Sequence, residues 1–210
     1  MRGQYTTGFC DELADLMRWR RDVRRFRSDP VAPELLTRCL GAFALAPSVG
    51  LSEPWRVISV SGAAARAAAV ANFEAANAAA LAGYEDEKAG LYARLKLSGM
   101  REAPVHLAVW CDEATAKGAG LGAQTMPETR AYSVVGAITL FWLALRAEGL
   151  GLGWVSILDP VQLARDLAVP EDWRLIGYLC IGWPESAEIV PELERLGWEG
   201  RAAKLWLETR

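Results

Sequence analysis

Apolar residues recur at helical spacing from Phe9 to Phe26, with Leu13, Leu16, Met17 and Val23 on one stripe. This predicts an opening helix that carries a run of arginines at its C-terminal end. Pro30 and Pro33 break it, and a second helix is expected to start near Pro33, where proline suits a first turn. That helix runs through Leu35, Leu36, Leu40 and Phe43 and stops before Pro47, where a loop leads to Pro54. Trp55 to Val60 reads as a strand, Ala63 to Leu81 as a helix by alanine propensity, and Tyr84 to Leu97 as a more polar helix. Val105 to Cys111 is a continuous apolar run, the pattern of a buried strand. Asp112 to Pro127, rich in Gly and Ala, reads as a long loop and a lid candidate, and a lid is allowed to reach over Leu81 to Gly122.

Glu128 to Glu148 is the most apolar helix of the chain. Its uninterrupted apolar part is about a dozen residues against the roughly 20 that a membrane span needs, so it belongs in a core or against another subunit. Gly151 to Leu158 supplies a third strand or turn, Pro160 to Leu167 a short helix, and Trp173 to Trp183 a fourth strand. The tail after Pro184 is expected to wrap over a surface or a partner. Helices outnumber strands without regular alternation, which predicts an α+β fold: a mostly antiparallel central sheet flanked by helices, in one domain spanning 1–210.

Composition narrows the function classes. With 210 residues, 52% of them hydrophobic and 23% charged, the chain can bury one sizeable core. A net charge of −3 gives no basic field for nucleic acid or an anionic membrane. Met1 to Cys10 lacks the apolar run of a signal peptide, so a cytoplasmic location is expected. Cys10, Cys39, Cys111 and Cys180 are scattered and read as buried free thiols; no metal site is expected. His106 is the only histidine and lies in the apolar Val105–Cys111 run, so it reads as structural, and histidine-dependent hydrolysis and histidine-rich metal catalysis drop out.

Candidate chemistry concentrates in Arg20-Arg21-Asp22-Val23-Arg24-Arg25, four guanidinium groups around one carboxylate. Alone, such a run reads as a solvated basic helix end; in a pocket, its planar donor forks suit a phosphate. Gly118-Ala119-Gly120-Leu121-Gly122-Ala123 matches the dinucleotide pattern formally, but no strand leads into it, so a Rossmann site is disfavoured. Gly149 reads as a helix C-cap, and Gly151 and Gly153, just before Trp154-Val155-Ser156, read equally as places where the backbone comes close to something flat or as a strand packed on its neighbour.

Taken in order, the arginine run, Ala46-Pro47-Ser48 leading to Pro54-Trp55, and Gly149 to Ser156 make nearly the whole chain resemble the FMN-dependent nitroreductase family. That family usually shows R-R-S-x-R first; this chain has Asp22 at the serine position. Asp22, Tyr132-Ser133 and Gly153 to Pro160 resemble one branch in particular. Members of that branch take reduced FMN and dioxygen and fragment the flavin itself to make the lower ligand of vitamin B12. The resemblance implies a nitroreductase-like fold, a homodimer with FMN at the subunit interface, and FMN in its reduced form as substrate with dioxygen as co-substrate.

Carried over, it puts Arg20, Arg21 and Arg24, with Asp22 and Val23 between them, on the flavin phosphate and ring edge. Ser48 and Ser52 lie along the flavin, and Trp154, Val155 and Ser156 lie by the ring, with Ser156 at its redox-active nitrogen. Arg201 completes the phosphate site from the tail. Asp22 and Ser156 are the expected catalytic residues, Asp22 as acid or base. Leu51 and Glu53 stand where the family often has Asn and Gln, and a carboxylate cannot donate as an amide does. Electrons come either from NAD(P)H, as NAD or NADP chemistry on this protein, or as FMNH2 from a separate flavin reductase. Two other readings are a conventional NAD(P)H-dependent nitroreductase or flavin reductase, and a non-catalytic flavin-binding protein.

Overall fold

The computed structural model describes residues 3–210. Helix α1 spans Thr7–Trp19 and is capped by Thr6, whose hydroxyl accepts from the Phe9 amide at 3.2 Å. It stops short of the arginine run, contrary to expectation. The chain from Arg20 onward is extended because tertiary pairing, described below, competes successfully with helix propensity. Helix α2, Pro33–Leu40, has its proline in the first turn and continues as a 3₁₀ segment, Gly41–Leu45. Strand β1 is Trp55–Ser59, helix α3 Ala63–Ala82, helix α4 Asp86–Arg94 and strand β2 Val105–Asp112. Helix α5 spans Thr129–Ala147, strand β3 Gly151–Val155, helix α6 Pro160–Asp166, strand β4 Trp173–Gly182 and the one-turn helix α7 Glu192–Arg195.

The four strands form one antiparallel sheet in the order β1-β2-β4-β3. Its central strands are covered on both faces, which is why β2 reads as an unbroken apolar run rather than an alternating one. On one face Leu107, Val109, Leu179 and Ile181 pack with Val134, Ile138, Phe141 and Leu145 of α5. On the other, Ala108, Trp110, Tyr178 and Cys180 pack with Ala69 of α3 and Leu163 of α6. Among the described residues no helix is long and apolar enough to cross a membrane.

Three of the four thiols are buried, but Cys10 is exposed on α1, because α1 buries none of its residues. His106 is buried as expected, with Nε2 3.2 Å from the Ala103 carbonyl and Nδ1 2.8 Å from the Tyr178 hydroxyl. A single lid over Leu81 to Gly122 is ruled out physically, since that span contains β2, the hydrogen-bonded neighbour of both β1 and β4. The tail wraps over its own chain first: Trp198 stands edge-on to Tyr84 and Tyr92, and its carbonyl accepts from Lys88 at 3.0 Å. Beyond Gly200 it is exposed.

Candidate active site

The arginine run is stitched along the edge of β3. Asp22 bridges Leu152 in parallel, and the Val23 amide donates to the Leu152 carbonyl at 3.0 Å. Gly151 and Gly153 make this approach feasible: a Cβ on Gly151 would lie 2.7 Å from Val23 Cγ2, and one on Gly153 would overlap the Val23 carbonyl oxygen. These glycines therefore admit the chain's own Asp22-Val23 backbone, the packed-strand reading of the two that the sequence left open. Gly149, by contrast, is the C-cap foreseen: its φ of +80° ends α5, and the Leu150 amide returns to the Leu145 carbonyl at 2.9 Å.

Asp22 is held from two sides. Its Oδ1 accepts from the Trp154 amide at 2.8 Å and its Oδ2 from Arg24 Nε at 2.8 Å. Arg24 also donates to the Lys96 carbonyl at 3.3 Å. Arg21 donates to the carbonyls of Ile189 and Arg20, both at 2.5 Å, and Arg25 pairs with Glu192 at 3.1 Å. The Arg20 guanidinium lies 4.5 Å from the Trp142 ring centroid. Burial lowers the pKa of both Arg20 and Arg21; at Arg20 the charge of Asp22 opposes this more than Arg201 adds to it, while at Arg21 the charges of Arg201 and Arg20 add to it and Glu194 opposes. Three guanidinium groups thus lie within reach of one another's charge, with the carboxylates of Asp22 and Glu194 as counter-charges beside them. FMN, as a phosphate monoester, fits that donor set.

The Ser48–Ser52 loop is shaped by its neighbours. Ser48 Oγ accepts from the Glu53 amide at 3.1 Å, and the Val49 amide donates to Ser133 Oγ at 3.0 Å. The Gly118–Gly122 turn packs on Gly50 and is joined to it by an ion pair between Lys117 and Glu53. The glycine turn is thus a buttress, and Glu53 has a cationic partner in place of an amide's contacts. Ser48 is occupied within its own turn. Ser52 is 3% exposed and its buried hydroxyl has no partner among the described residues.

Ser156 is exposed and opens the turn after β3, with the Leu158 amide donating to its carbonyl at 3.0 Å. Trp154 and Val155 precede it on the strand, Trp154 with its amide committed to Asp22. The structure therefore brings Arg20, Arg21, Asp22, Val23, Arg24, Trp154, Val155 and Arg201 into one region, and it places Ser48 and Ser52 in a separate loop. Sequence reasoning missed Trp142 beneath Arg20, Lys117 opposite Glu53, and Arg195, which lines the arginine cleft. None carries a local signal, since each meets its partner from far along the chain.

The arginine cleft encloses about 70 Å³, far less than the roughly 300–1,000 Å³ typical of ligand pockets. A larger hollow of about 710 Å³ lies between α1 and the end of α5, where three carboxylates, Asp11, Glu12 and Asp15, outnumber the one cation, Arg146. The arginine cleft formed by the described residues is thus too small for a whole flavin.

Residues 17–183 match the model of the nitroreductase family. The chain belongs to the nitroreductase family. Among family relatives, the 5,6-dimethylbenzimidazole synthase of Rhodospirillum rubrum is 54% identical over 94% of this chain and 93% of its own length. The 5,6-dimethylbenzimidazole synthase of Rhodobacter capsulatus is 47% identical over 93% of this chain and 95% of its own. In three dimensions the chain is similar to iodotyrosine deiodinase, solved bound to FMN and 3-iodo-L-tyrosine, with a TM-score of 0.72, 21% identity and coverage of 94% and 97% of the two chains. That likeness shows the nitroreductase fold, here a four-stranded antiparallel sheet flanked by helices.

Proposed function

We infer that this nitroreductase-family chain is a 5,6-dimethylbenzimidazole synthase acting on reduced FMN with dioxygen. The observation that carries this reading is the near full-length identity of about half to relatives of that name. Reduced FMN, when bound, supplies the electrons for dioxygen and the carbon skeleton that is fragmented. The chain's own groups do the rest. Arg20, Arg21 and Arg201 clamp the phosphate with planar donor forks whose partial burial strengthens the attraction for a dianion. Trp142 fixes the Arg20 guanidinium by stacking.

Asp22 is poised to hold or pass a proton at Oδ2 once Arg24 turns toward the ligand, while the Trp154 amide keeps Oδ1 oriented. Ser156 offers a hydroxyl and a backbone amide to the ring. Ser48 and Ser52 line the far wall, and Ser52 brings a buried hydroxyl still lacking a partner. A homodimer closes the cleft, because one protomer encloses too little volume for a flavin. A cytoplasmic location fits the reading. Electrons reach FMN from NAD(P)H on this protein or from a separate flavin reductase, and an anaerobic NAD(P)H titration distinguishes the two.

The deciding experiment mixes the purified protein with chemically reduced FMN in air and analyses the products by chromatography and mass spectrometry. Dimethylbenzimidazole is the expected product. Intact, reoxidised FMN without a fragment would favour a conventional flavin oxidoreductase of the same family.

A further inference from the structure

The turn that carries Ser156 is fastened by a residue outside the flavin region. Asn72 lies on α3, is 8% exposed, and is one of only a few buried polar side chains. Its Oδ1 accepts from the Asp159 amide at 2.7 Å, and its Nδ2 donates to the Asp159 carbonyl at 2.9 Å. The carboxamide therefore satisfies both backbone groups of one residue, as a neighbouring strand would. Asp159 in turn caps α6, its Oδ1 accepting from the Val161 and Gln162 amides at 2.9 and 3.0 Å. Residues 156–158 are thereby suspended between two fixed points: Val155, paired with Tyr178 in the sheet, and Asp159, clamped to α3.

We propose that Asn72 is a positioning residue that sets where Ser156 stands beside the flavin. The inference rests on the proposed flavin site at Ser156. The Asn72 carboxamide is engaged on the Asp159 backbone, and it shares no hydrogen bond with the arginine segment, which is fastened to Leu152 and Trp154. Its loss therefore separates placement of the ring-facing hydroxyl from binding of the phosphate. A shift of about 1 Å in a positioning element costs on the order of 10²-fold in rate.

The test compares Asn72→Ala, Ser156→Ala and the double variant, each titrated with oxidised FMN and followed by the visible absorption of the bound flavin. Asn72→Ala should leave FMN affinity within about threefold, since the arginine clamp is independent of it. Its bound-flavin spectrum should move as that of Ser156→Ala does, and the double variant should move no further than Ser156→Ala alone. An unshifted Asn72→Ala spectrum, an unshifted Ser156→Ala spectrum, or additive shifts in the double variant would each overturn the inference.

Should Asn72→Ala fail to fold, Asn72→Asp keeps the acceptor for the Asp159 amide and removes the donor to its carbonyl. Hydrogen exchange should then accelerate across residues 157–163 while β2 and β4 stay protected; acceleration in β2 and β4 as well would reduce Asn72 to general packing and overturn the proposal. A wild-type protein that binds FMN yet releases no benzimidazole would defeat the proposed function. It would leave this inference standing, because the spectrum reports the flavin's surroundings and not its fragmentation.

Discussion

Asp22 has both carboxylate oxygens engaged by the protein, one on the Trp154 amide and one on Arg24. An asparagine can keep the first contact through its carbonyl oxygen, but its NH2 then faces the Arg24 guanidinium, donor against donor. Asp22→Asn should hence retain FMN within about tenfold while losing on the order of 10²–10⁴-fold in dimethylbenzimidazole yield, the usual worth of a proton-transfer group. Product analysis alongside a binding titration checks it, and an undiminished yield would remove Asp22 from the chemistry. His106 makes a different prediction. Because the Ala103 carbonyl can only accept, Nε2 carries the ring proton and the Tyr178 hydroxyl donates to Nδ1. Burial, aided by the charge of Arg66, holds the imidazole down to about 4 against an ordinary 6.5. Above pH 6.5 neither folded nor unfolded chain binds this proton. Between 6.5 and about 4 only the unfolded chain does, so stability falls with falling pH by at most about 1.4 kcal/mol per unit. Urea midpoints from pH 7 to 4.5 should show a shallower decline for His106→Gln than for the wild type.

At the scale of elements, the junction between residues 22–23 and β3 decides whether the clamp exists. Gly153→Ala would drive a methyl into the Val23 carbonyl oxygen, backbone that cannot step aside, whereas Gly151→Ala meets only the Val23 side chain. Gly153→Ala should lower stability by about 1–3 kcal/mol, in the range of overpacking, and weaken FMN binding at least tenfold. Gly151→Ala should do less of both, and thermal unfolding with FMN titration ranks them. The same junction marks what the sequence could and could not convey. Every strand and all the longer helices were legible, because apolar periodicity and the prolines at 33 and 160 are local signals. The end of α1 was not. Leu13, Leu16, Met17 and Val23 keep helical spacing into the arginines, and only pairing of Asp22 with a strand some 130 residues away pulls the chain straight from Arg20 onward. Likewise Gly151 and Gly153 fitted a flat ligand and a packed strand equally well, because the Val23 backbone that decides between them comes from far along the chain. Glu53 looked anomalous until Lys117 supplied its counter-charge from another loop.

For the whole molecule, one protomer leaves apolar surface that a second copy would cover. Helix α1 buries none of its residues while Phe9, Leu13 and Met17 stay exposed, and Leu205, Trp206 and Leu207 at the tail are each more than four-fifths exposed (86%, 84% and 82%). Exposed apolar surface at these two places is what the proposed homodimer would cover. The tail also carries Arg201, whose charge reaches Arg20 and Arg21, so the proposed assembly and the proposed flavin binding would meet in one segment. Two variants separate them. Arg201→Gln removes one phosphate partner and should weaken FMN about 10–100-fold, as expected for loss of a hydrogen bond to a charged group, while leaving the oligomer intact. Deleting residues 202–210 keeps Arg201 but strips the exposed Leu-Trp-Leu, and should shift sedimentation from dimer toward monomer and weaken FMN through the lost second wall. If the full-length protein sediments as a monomer at micromolar concentration and still binds FMN fully, the cleft must be closed by its own chain, and the exposed tail would be the segment to follow first.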